Sequence, residues 1–421
     1  MLFRSSGKPA PSKNNKGIKM KNRLKVFLVF LMILSISGTA LAESSWPLSR
    51  PEEVGMDFQR LAALDRLMAE SLNRHDFPGA VILVVRQGKI AWRKPYGQSQ
   101  LVPAAEPMKI DMLFDLASVT KPVATATAIM ILVEQGKLRL WDRVSTYIPE
   151  FVPYIKEGGF PAEEARLFHL LTHTSGLPPY TDPEEVAAKY GQPCSTEDLV
   201  RHIATLRKEL PPGQKFVYSC LNYITLAQIV KLVSGENLAD FCQKNIFLPL
   251  KMKDTMFNPP PQLKSRCVPT EVINGEPLRG IVHDPLARLQ GGISGNAGLF
   301  SSADDLAIFA QMMLNKGEFK GIRILSPLAV ERMTEIFPLL SSSGRGFGWD
   351  LNTDYSTVRG DLFGYKSYGH SGYTGTSIWI DPETQTAVIF LTNRVHPDDK
   401  GEIIAVRSKV ANIVAGSIIK K

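Results

Sequence analysis

The stretch DLASVTKPVAT (residues 115–125) places Ser118 three residues before Lys121, where small and apolar residues take up helical spacing. On a helix, residues three apart share a face, so the hydroxyl and the amine can come within hydrogen-bond distance. Free N–H groups and the positive dipole end of a first turn also stabilise an anion beside the serine. The motif alone is weak, because Ser-x-x-Lys recurs at Ser5–Lys8 and Ser417–Lys420. A helix cap followed by a solvated lysine is the simpler interpretation, and only the rest of the chain distinguishes the two.

Strand patterns lie towards both ends of the chain, and helical patterns lie mostly between them. Residues 79–97 are typical of two strands joined by a turn at Gln87-Gly88, and residues 376–393 of a second such unit around Asp381-Pro382. Apolar residues recur at helical spacing in 57–75, 118–136, 196–206, 222–235 and 302–317. Alternating strand and helix units, which a doubly wound parallel sheet needs, are absent. The pattern predicts an α/β (α+β) fold, with one antiparallel sheet built from the N- and C-terminal segments and flanked by helices.

The order of the elements also predicts how the chain is divided. Its 421 residues are enough to bury a large core, in one big domain or in two associated ones. We expect a single domain over residues 43–415. Residues 43–115 and 290–415 would form its α/β part, and residues 116–289 would form the inserted, mainly helical part.

Residues 1–42 have the pattern of a secretory signal peptide. They begin with eight Lys or Arg and no acidic residue, continue with VFLVFLMILSISG at 26–38, and end on Ala40-Leu41-Ala42. The apolar run is shorter than the roughly 20 residues of a membrane-spanning helix. We therefore predict a cut after Ala42 and a periplasmic or secreted protein, with Met20 as the natural start. An uncleaved membrane anchor is the alternative, and a lipoprotein is disfavoured because no cysteine ends the run.

The positive charge of the chain belongs to this leader. The whole sequence has 49 Lys and Arg against 41 Asp and Glu, and without the leader's eight basic residues the two classes are equal at 41 each. Nucleic-acid binding draws its affinity from clustered positive charge, so the predicted mature chain gives no support for such a partner. Membrane contact is expected only through an uncleaved leader.

Cysteines and other short motifs add little chemistry. Cys194, Cys220, Cys242 and Cys267 allow up to two disulfides in an oxidising compartment, and their pairing stays open. The stretch HLLTH (169–173) has two histidines four apart, but leucine stands where a zinc protease has glutamate. No Cys-x-x-Cys, Gly-x-Ser-x-Gly or phosphate-binding loop occurs. We expect neither a metal nor an organic cofactor, and we interpret VHDPLARL (282–289) as a structural loop near the cleft.

Two later segments carry polar residues at the boundaries of predicted elements. Tyr218 and Ser219 come just before the helical pattern that follows Cys220. The segment His370-Ser371-Gly372 stands at the entry to a strand, where glycine lets backbone approach a ligand closely. Each segment alone is unremarkable, since a tyrosine is usually part of the core and a histidine is usually a satisfied polar residue.

In this order, the Ser-x-x-Lys stretch and the two later segments resemble the serine β-lactamase and DD-peptidase superfamily. The similar branch holds class C β-lactamases, low-molecular-weight penicillin-binding proteins and related esterases. Supporting stretches are AIMILVEQGKLRLWDRVSTYIPEF (128–151), LLTHTSGLP (170–178) and GGISGNAGLFSSADDLAIFA (291–310). The resemblance runs from about residue 50 to residue 415.

The resemblance implies a role for each motif residue. Ser118 would be the acylated nucleophile, Lys121 its proton partner, and Tyr218 a second general base and acid. His370 stands where many relatives have the lysine of a Lys-Thr-Gly strand. The backbone N–H groups of Ser118 and Tyr373 would form the oxyanion hole. The substrate-binding residues implied are His370, Ser371, Gly372, Tyr373 and Cys220.

One departure from the family pattern concerns the substrate. The second motif usually reads Tyr-x-Asn, and here Cys220 takes the place of the asparagine. A thiol is a weak donor and a weak acceptor, so the usual contact with a substrate amide is largely lost. Asn222 lies two residues further on, and we expect it on a different face of the helix. We favour D-Ala-D-Ala-type peptidoglycan peptides as substrate, with small esters, β-lactams and a catalytically silent cell-wall-peptide binding protein as alternatives.

Overall fold

The computed structural model describes Ala10 and residues 46–159, 163–340 and 343–420. Apart from Ala10, the predicted signal peptide and its cleavage site lie outside these residues. Residues Leu48–Lys421 form one compact unit. The predicted boundaries at residues 116 and 289 within this unit stay predictions.

The strands form one large sheet and several small ones. They are β1 (Gly79–Arg86), β2 (Lys89–Gln100), β3 (Glu106–Pro107), β4 (Phe114–Asp115), β5 (Met256–Phe257), β6 (Val272–Ile273), β7 (Glu276–Pro277), β8 (Leu299–Ser301), β9 (Glu318–Phe319), β10 (Ile322–Arg323), β11 (Tyr368–Ser371), β12 (Ser377–Asp381) and β13 (Thr386–Thr392). The large sheet has the order β11-β12-β13-β1-β2-β3, and all its neighbours are antiparallel. The prediction of one antiparallel sheet built from both ends of the chain is therefore confirmed.

Most helices lie between the two groups of strands. They are α1 (Phe58–Leu61), α2 (Ala63–Asn73), α3 (Thr127–Glu134), α4 (Leu167–Leu171), α5 (Pro183–Tyr190), α6 (Thr196–Thr205), α7 (Cys220–Ser234), α8 (Leu238–Cys242), α9 (Leu248–Leu250), α10 (Pro285–Leu289), α11 (Ala303–Leu314), α12 (Pro327–Met333) and α13 (Ile404–Gly416). Tighter 3₁₀ turns occur at Pro51–Val54, Ala117–Val119, Val144–Thr146, Pro261–Arg266, Pro338–Leu340 and Asp354–Arg359, and wider π turns at Lys121–Ala126 and Gln243–Phe247.

Strand β1 lies at the centre of the core and is buried along its whole length. Its alternate residues Ala80, Ile82 and Val84 pack with apolar residues of α2 and α13. Successive side chains of a strand point to opposite faces, and α11 packs against the same strand. Helices therefore cover both faces of the sheet, which explains why the first strand reads as a continuous apolar run.

The predicted helix over 118–136 is present but is not regular. It begins as the 3₁₀ turn Ala117–Val119, continues as the π segment Lys121–Ala126, and becomes α3 only at Thr127. Pro122 lacks the N–H that a regular α-helix would use at this point, which explains why the wider turn occurs there. By length and composition the run 117–134 could cross a membrane, but 83% of it is buried inside the protein, so it is a core helix.

Other predicted elements differ mainly at their ends. The helix expected over 57–75 is split at Ala62 into α1 and α2, and the one expected over 302–317 ends at Leu314. The helix expected over 222–235 begins two residues earlier, at Cys220. This last difference matters for the site, because it places Cys220 on the first turn of α7.

Candidate active site

Ser118 lies on a tight turn that directly follows the short strand β4. Ala117 before it has a φ of 45°, in the left-handed region that residues with a Cβ rarely adopt. The Asp115 carboxylate holds this turn, since its Oδ1 accepts from the Ala117 N–H at 2.9 Å and its Oδ2 accepts from the His283 N–H at 2.7 Å. The half-buried hydroxyl of Ser118 is therefore presented on a strained and braced turn.

Lys121 and Ser118 form the pair that the sequence predicts. The Lys121 side chain is fully buried, and its Nζ donates to Ser118 Oγ at 2.9 Å. The same amine donates to the Asn296 carbonyl oxygen at 2.9 Å and lies 3.6 Å from Cys220 Sγ. The interpretation as a helix cap followed by a solvated lysine is wrong, because this lysine has no contact with solvent.

The protonation of Lys121 depends on its neighbours. Burial lowers the pKa of its amine, whereas Cys220 and Tyr218 raise it, and the resulting pKa lies above its ordinary value. Cys220 acts on it through the thiolate charge, whereas Tyr218 also acts through a side-chain hydrogen bond, and burial raises the pKa of the Cys220 thiol. When the thiol is neutral, the largest contribution that opposes desolvation is absent, and burial then favours the neutral amine, which can accept a proton from Ser118.

Tyr218 reaches the site from the segment just before α7, and His173 holds that segment. The two rings stack with centroids 4.4 Å apart. His173 Nδ1 accepts from the Ser219 N–H at 3.1 Å, and the His173 carbonyl accepts from the Val217 N–H at 2.9 Å. Lys121 Nζ lies 5.0 Å from the centre of the Tyr218 ring. The structure therefore brings Ser118, Lys121 and Tyr218 together.

His370 is buried beside Tyr218 and carries no charge of its own. Its Nδ1 lies 2.8 Å from the Ser371 carbonyl oxygen, which can only accept, so this nitrogen carries the proton. Its Nε2 lies 3.1 Å from an N–H₂ group of Arg345, which can only donate. Burial and the Arg345 charge hold the pKa of His370 well below its ordinary value. The positive charge near this position belongs to Arg345, which is itself paired with the buried Asp350 carboxylate at 3.5 Å.

Gly372 lets β11 approach the turn that carries Ser118. A Cβ on Gly372 would lie 2.2 Å from Thr376 Oγ1 and 2.4 Å from the Leu116 carbonyl oxygen. The N–H groups of Ser118 and Tyr373 donate no hydrogen bond within the described part of the chain. Both groups therefore remain available to an oxyanion at the mouth of the site.

The contacts of Cys220 and Asn222 agree with the expectation that they lie on different faces of α7. Cys220 is half-buried and its Sγ faces Lys121. The Asn222 Oδ1 accepts from Ser175 Oγ at 2.5 Å, and its Nδ2 lies 3.4 Å from His173 Nδ1. The Asn222 amide therefore does not take the place of the amide that Cys220 lacks.

The motif residues share a cleft of about 520 Å³ with residues that the sequence did not single out. Ser118, Tyr218, His370, Ser371, Gly372 and Tyr373 line it together with Arg345, Arg394 and Arg407. These arginines lie in the C-terminal third of the chain and belong to no short motif. Only hydrophobic spacing surrounds Arg407, so a sequence gives no sign that it faces the cleft.

The remaining sequence candidates lie outside the cleft. His169 Nδ1 accepts from the Arg166 N–H, so the two histidines of HLLTH serve different partners, and no group of three potential metal ligands occurs among the described residues. All four cysteines have free thiols. Ser417 Oγ donates to the Val414 carbonyl, whereas Ser5–Lys8 lies outside the described residues.

Residues 282–289 support the site, but the prediction of a loop is wrong beyond Asp284, because residues 285–289 form the helix α10. Asp284 caps α10 by accepting from the Ala287 N–H at 2.8 Å, and it also accepts from the Tyr180 hydroxyl at 3.2 Å. The His283 ring stacks on Tyr373 with centroids 5.6 Å apart. The segment thus connects both sides of the predicted oxyanion hole.

Comparisons with known proteins agree with this geometry. The family model described as Beta-lactamase matches residues 64–411. An N-acetylmuramyl-L-alanine amidase of Bacillus subtilis (strain 168) is 30% identical over 411 residues, 89% of this chain and 92% of the relative. A "Putative D-alanyl-D-alanine carboxypeptidase" of Escherichia coli O157:H7 is 29% identical over 401 residues, with the same two shares. The solved structure of EstCE1, a hydrolase with promiscuous acyltransferase activity, is similar with a TM-score of 0.70 and 23% identity, over 85% of this chain and 99% of EstCE1.

The family match spans most of the chain and includes every motif residue of the cleft. The EstCE1 likeness, at its low identity, supports the fold alone. The resemblance and the fold predicted from the sequence are confirmed, while the role of each single residue stays a prediction. The chain belongs to the Beta-lactamase family and is a serine hydrolase of the serine β-lactamase and DD-peptidase superfamily.

Proposed function

We propose that the protein hydrolyses D-Ala-D-Ala-type peptidoglycan peptides through an acyl-enzyme on Ser118. The observation that carries this proposal is the buried Lys121 amine, which lies 2.9 Å from Ser118 Oγ. A serine is a weak nucleophile until a neighbouring group takes its proton, and this amine lies at the distance that the transfer needs.

The reaction would run in two steps. Ser118 Oγ attacks the peptide carbonyl carbon while its proton passes to Lys121 or Tyr218, and the carbonyl oxygen becomes an oxyanion. Collapse of this intermediate breaks the C–N bond, and the same groups return the proton to the leaving amine. Water then attacks the acyl-enzyme with the same assistance and releases the shortened peptide. The N–H groups of Ser118 and Tyr373 would stabilise the oxyanion in both steps.

The named relatives favour a cell-wall substrate without agreeing on the bond. One is named an amidase and the other a carboxypeptidase, and both names refer to cell-wall peptides. D-Ala-D-Ala cleavage fits the second name and the superfamily. A small-ester hydrolase is the second candidate, because Cys220 gives an amide substrate less to bind than asparagine would.

The test uses the chain from residue 43 and its Ser118→Ala variant. We expect the protein to release D-alanine from a tripeptide ending in D-Ala-D-Ala, and to form a one-drug adduct with benzylpenicillin that intact mass spectrometry detects. Neither reaction should occur in Ser118→Ala. The matched control is Ser417→Ala, which changes the serine of another Ser-x-x-Lys motif and should keep both reactions.

Other outcomes assign other functions. Rapid hydrolysis of the drug without an adduct would indicate a β-lactamase. Turnover of 4-nitrophenyl acetate alone, lost in Ser118→Ala, would indicate an esterase. No reaction with any of the three would contradict the proposal and favour a silent peptide-binding protein.

We also infer that the protein is exported and that residues 1–42 are removed. The basic start, the apolar run and the Ala40-Leu41-Ala42 ending support this inference. Edman sequencing of the protein recovered from the periplasm should begin at Glu43. A product that keeps the apolar run and sediments with membranes would instead support the anchor.

A further inference from the structure

Arg407 is a buried cation without an acidic partner. Its side chain lies on α13, is only 7% exposed, and lines the cleft of the active site. No carboxylate lies within salt-bridge distance of it among the described residues, and its Nε has no hydrogen-bond partner there. Removing a charge from water without pairing it is unfavourable. Such an arrangement calls for a compensating interaction, and the resting protein supplies only carbonyl oxygens.

Those carbonyl oxygens belong to the loop between β11 and β12. Arg407 donates to the Gly372 carbonyl at 2.8 Å and to the Thr376 carbonyl at 2.9 Å, both through the same terminal nitrogen. The Gly372 N–H in turn donates to the Thr376 carbonyl at 2.7 Å. One guanidinium thus closes the loop that carries Gly372 and Tyr373.

The Gly372 carbonyl and the Tyr373 N–H are two ends of one peptide group. A hydrogen bond from a cation to the carbonyl draws electron density away from the nitrogen, so the N–H becomes a stronger donor. That N–H donates to nothing in the described part of the chain and lies at the cleft. The guanidinium therefore acts on the donor that would face the oxyanion.

We propose that Arg407 is a positioning and polarising residue for the oxyanion hole, acting through the Gly372–Tyr373 peptide. This inference rests on the proposed function, since it presumes an acyl transfer on Ser118. The negative charge that develops on the substrate oxygen is the counter-charge that Arg407 lacks in the resting protein. The positive charge of Arg407 therefore stabilises the transition state more than the bound substrate.

Arg394 offers a matched comparison on the neighbouring peptide. Its Nε donates to the Tyr373 carbonyl at 2.8 Å, which shares a peptide with the N–H of Thr374. It is also paired with Asp399 at 2.8 Å. Removing Arg394 would loosen the same loop but leave the Gly372–Tyr373 peptide polarised. A comparison of variants at the two arginines therefore distinguishes mechanical support of the loop from polarisation of the peptide.

The test compares 4-nitrophenyl acetate with its thiono analogue, in which sulfur replaces the carbonyl oxygen. Sulfur accepts hydrogen bonds weakly, so the thiono ester gains little from an oxyanion hole. In Arg407→Met we expect the kcat for the oxygen ester to fall by about 30-fold and that for the thiono ester by less than about threefold. KM should change little, because the donor acts in the transition state. Arg407→Lys, which keeps the charge with fewer donors, should recover part of the oxygen-ester rate.

The outcomes separate this inference from the function beneath it. Equal losses on both esters in Arg407→Met would overturn the inference and leave the serine mechanism intact. In Arg394→Gln we expect the ratio of the oxygen-ester kcat to the thiono-ester kcat to stay at its wild-type value. A fall of this ratio as large as that in Arg407→Met would also overturn the inference. If Arg407→Met does not fold, the ratio in Arg407→Lys decides, with a fall of about threefold expected. A wild-type protein no faster than Ser118→Ala on either ester would overturn this inference. The proposed function would fall with it only if the protein also released no D-alanine from the D-Ala-D-Ala tripeptide.

Discussion

His173 is the residue that positions the predicted general base. It takes a φ of 57°, and in that conformation its ring stacks on Tyr218. Its Nδ1 accepts from the Ser219 N–H, and its carbonyl oxygen accepts from the Val217 N–H. Burial holds its pKa well below the ordinary value, so the ring stays neutral and keeps its acceptor. A charged ring would lose the hydrogen bond from the Ser219 N–H.

Substitutions at His173 should therefore affect rate more than binding. In His173→Asn, the amide oxygen can still accept from Ser219 and the residue tolerates a positive φ, but the stacking is lost. We expect kcat to fall by about tenfold with a small change of KM, and His173→Ala to destabilise the fold by about 3 kcal/mol. Steady-state kinetics and urea unfolding measure the two effects. Unchanged kcat in His173→Asn would mean that Tyr218 needs no such support.

Cys220 is a second single residue whose substitution we expect to affect the reaction, through the binding of amide substrates. Cys220→Asn restores a carboxamide that can both donate to and accept from a substrate amide, and one such hydrogen bond is worth about 1 kcal/mol. We expect kcat/KM for a D-Ala-D-Ala tripeptide to rise by about fivefold, with no rise for 4-nitrophenyl acetate. Cys220→Ser is the matched control, since its hydroxyl is too short to reach a substrate amide. An equal rise for both substrates would argue that size at this position matters instead of the amide.

At the scale of elements, the site is a junction between two parts of the chain. The Thr374 and Thr376 hydroxyls donate to the carbonyls of Asp115 and Leu116, at 2.7 and 2.9 Å. These contacts hold the loop after β11 against the turn that carries Ser118. The relative position of nucleophile and oxyanion donors therefore depends on how closely β11 can approach, which a side chain at Gly372 would prevent.

Gly372→Ala should separate the two parts. The added Cβ would lie within 2.4 Å of the Leu116 carbonyl oxygen, so backbone has to shift. We expect kcat/KM on any substrate to fall by more than about 100-fold, because a shift near 1 Å misplaces the reacting groups. Gly416→Ala is the control, since its Cβ would meet only Leu362 at 3.7 Å. Full activity in Gly372→Ala would contradict the close approach that we describe.

At the scale of the whole molecule, buried neutral histidines make the fold sensitive to acid. Burial lowers the pKa of His169 to about 4, and its Nδ1 accepts from the Arg166 N–H at 3.0 Å. The unfolded chain binds a proton near pH 6.5, so between pH 6.5 and 4 it holds more protons than the folded protein. Stability from this residue is therefore complete above that window and is lost as the pH falls through it.

His169→Asn tests this linkage, since its amide oxygen can take over the acceptor role and does not titrate. We expect the wild-type free energy of unfolding to fall by about 2 kcal/mol more than that of His169→Asn between pH 7 and pH 5. Urea unfolding at both pH values gives the difference. Parallel losses in the two proteins would place the acid sensitivity elsewhere, for example at His173 or His370.

Much of the fold could be predicted because its signals are local. Short runs of β-branched and aromatic residues around turns, in 79–97 and 376–393, indicate strands whichever partner they find. Helical spacing of apolar residues predicts the helices to within a few residues. The irregular start of the Ser118 helix escaped prediction, because neither the left-handed φ of Ala117 nor the π segment after it follows from spacing. Both depend on Asp115, Pro122 and the packing around them.

The sequence by itself determined the family, the sheet built from both ends of the chain, and the motif residues Ser118, Lys121, Tyr218 and His370. Only the tertiary structure decided that Lys121 is fully buried and that His370 is neutral and hydrogen-bonded to Arg345. It also decided that Arg407 binds the Gly372–Tyr373 peptide group. The physical reason is distance along the chain. Burial and charge at a site come from residues that a motif does not contain, and folding alone brings them to it.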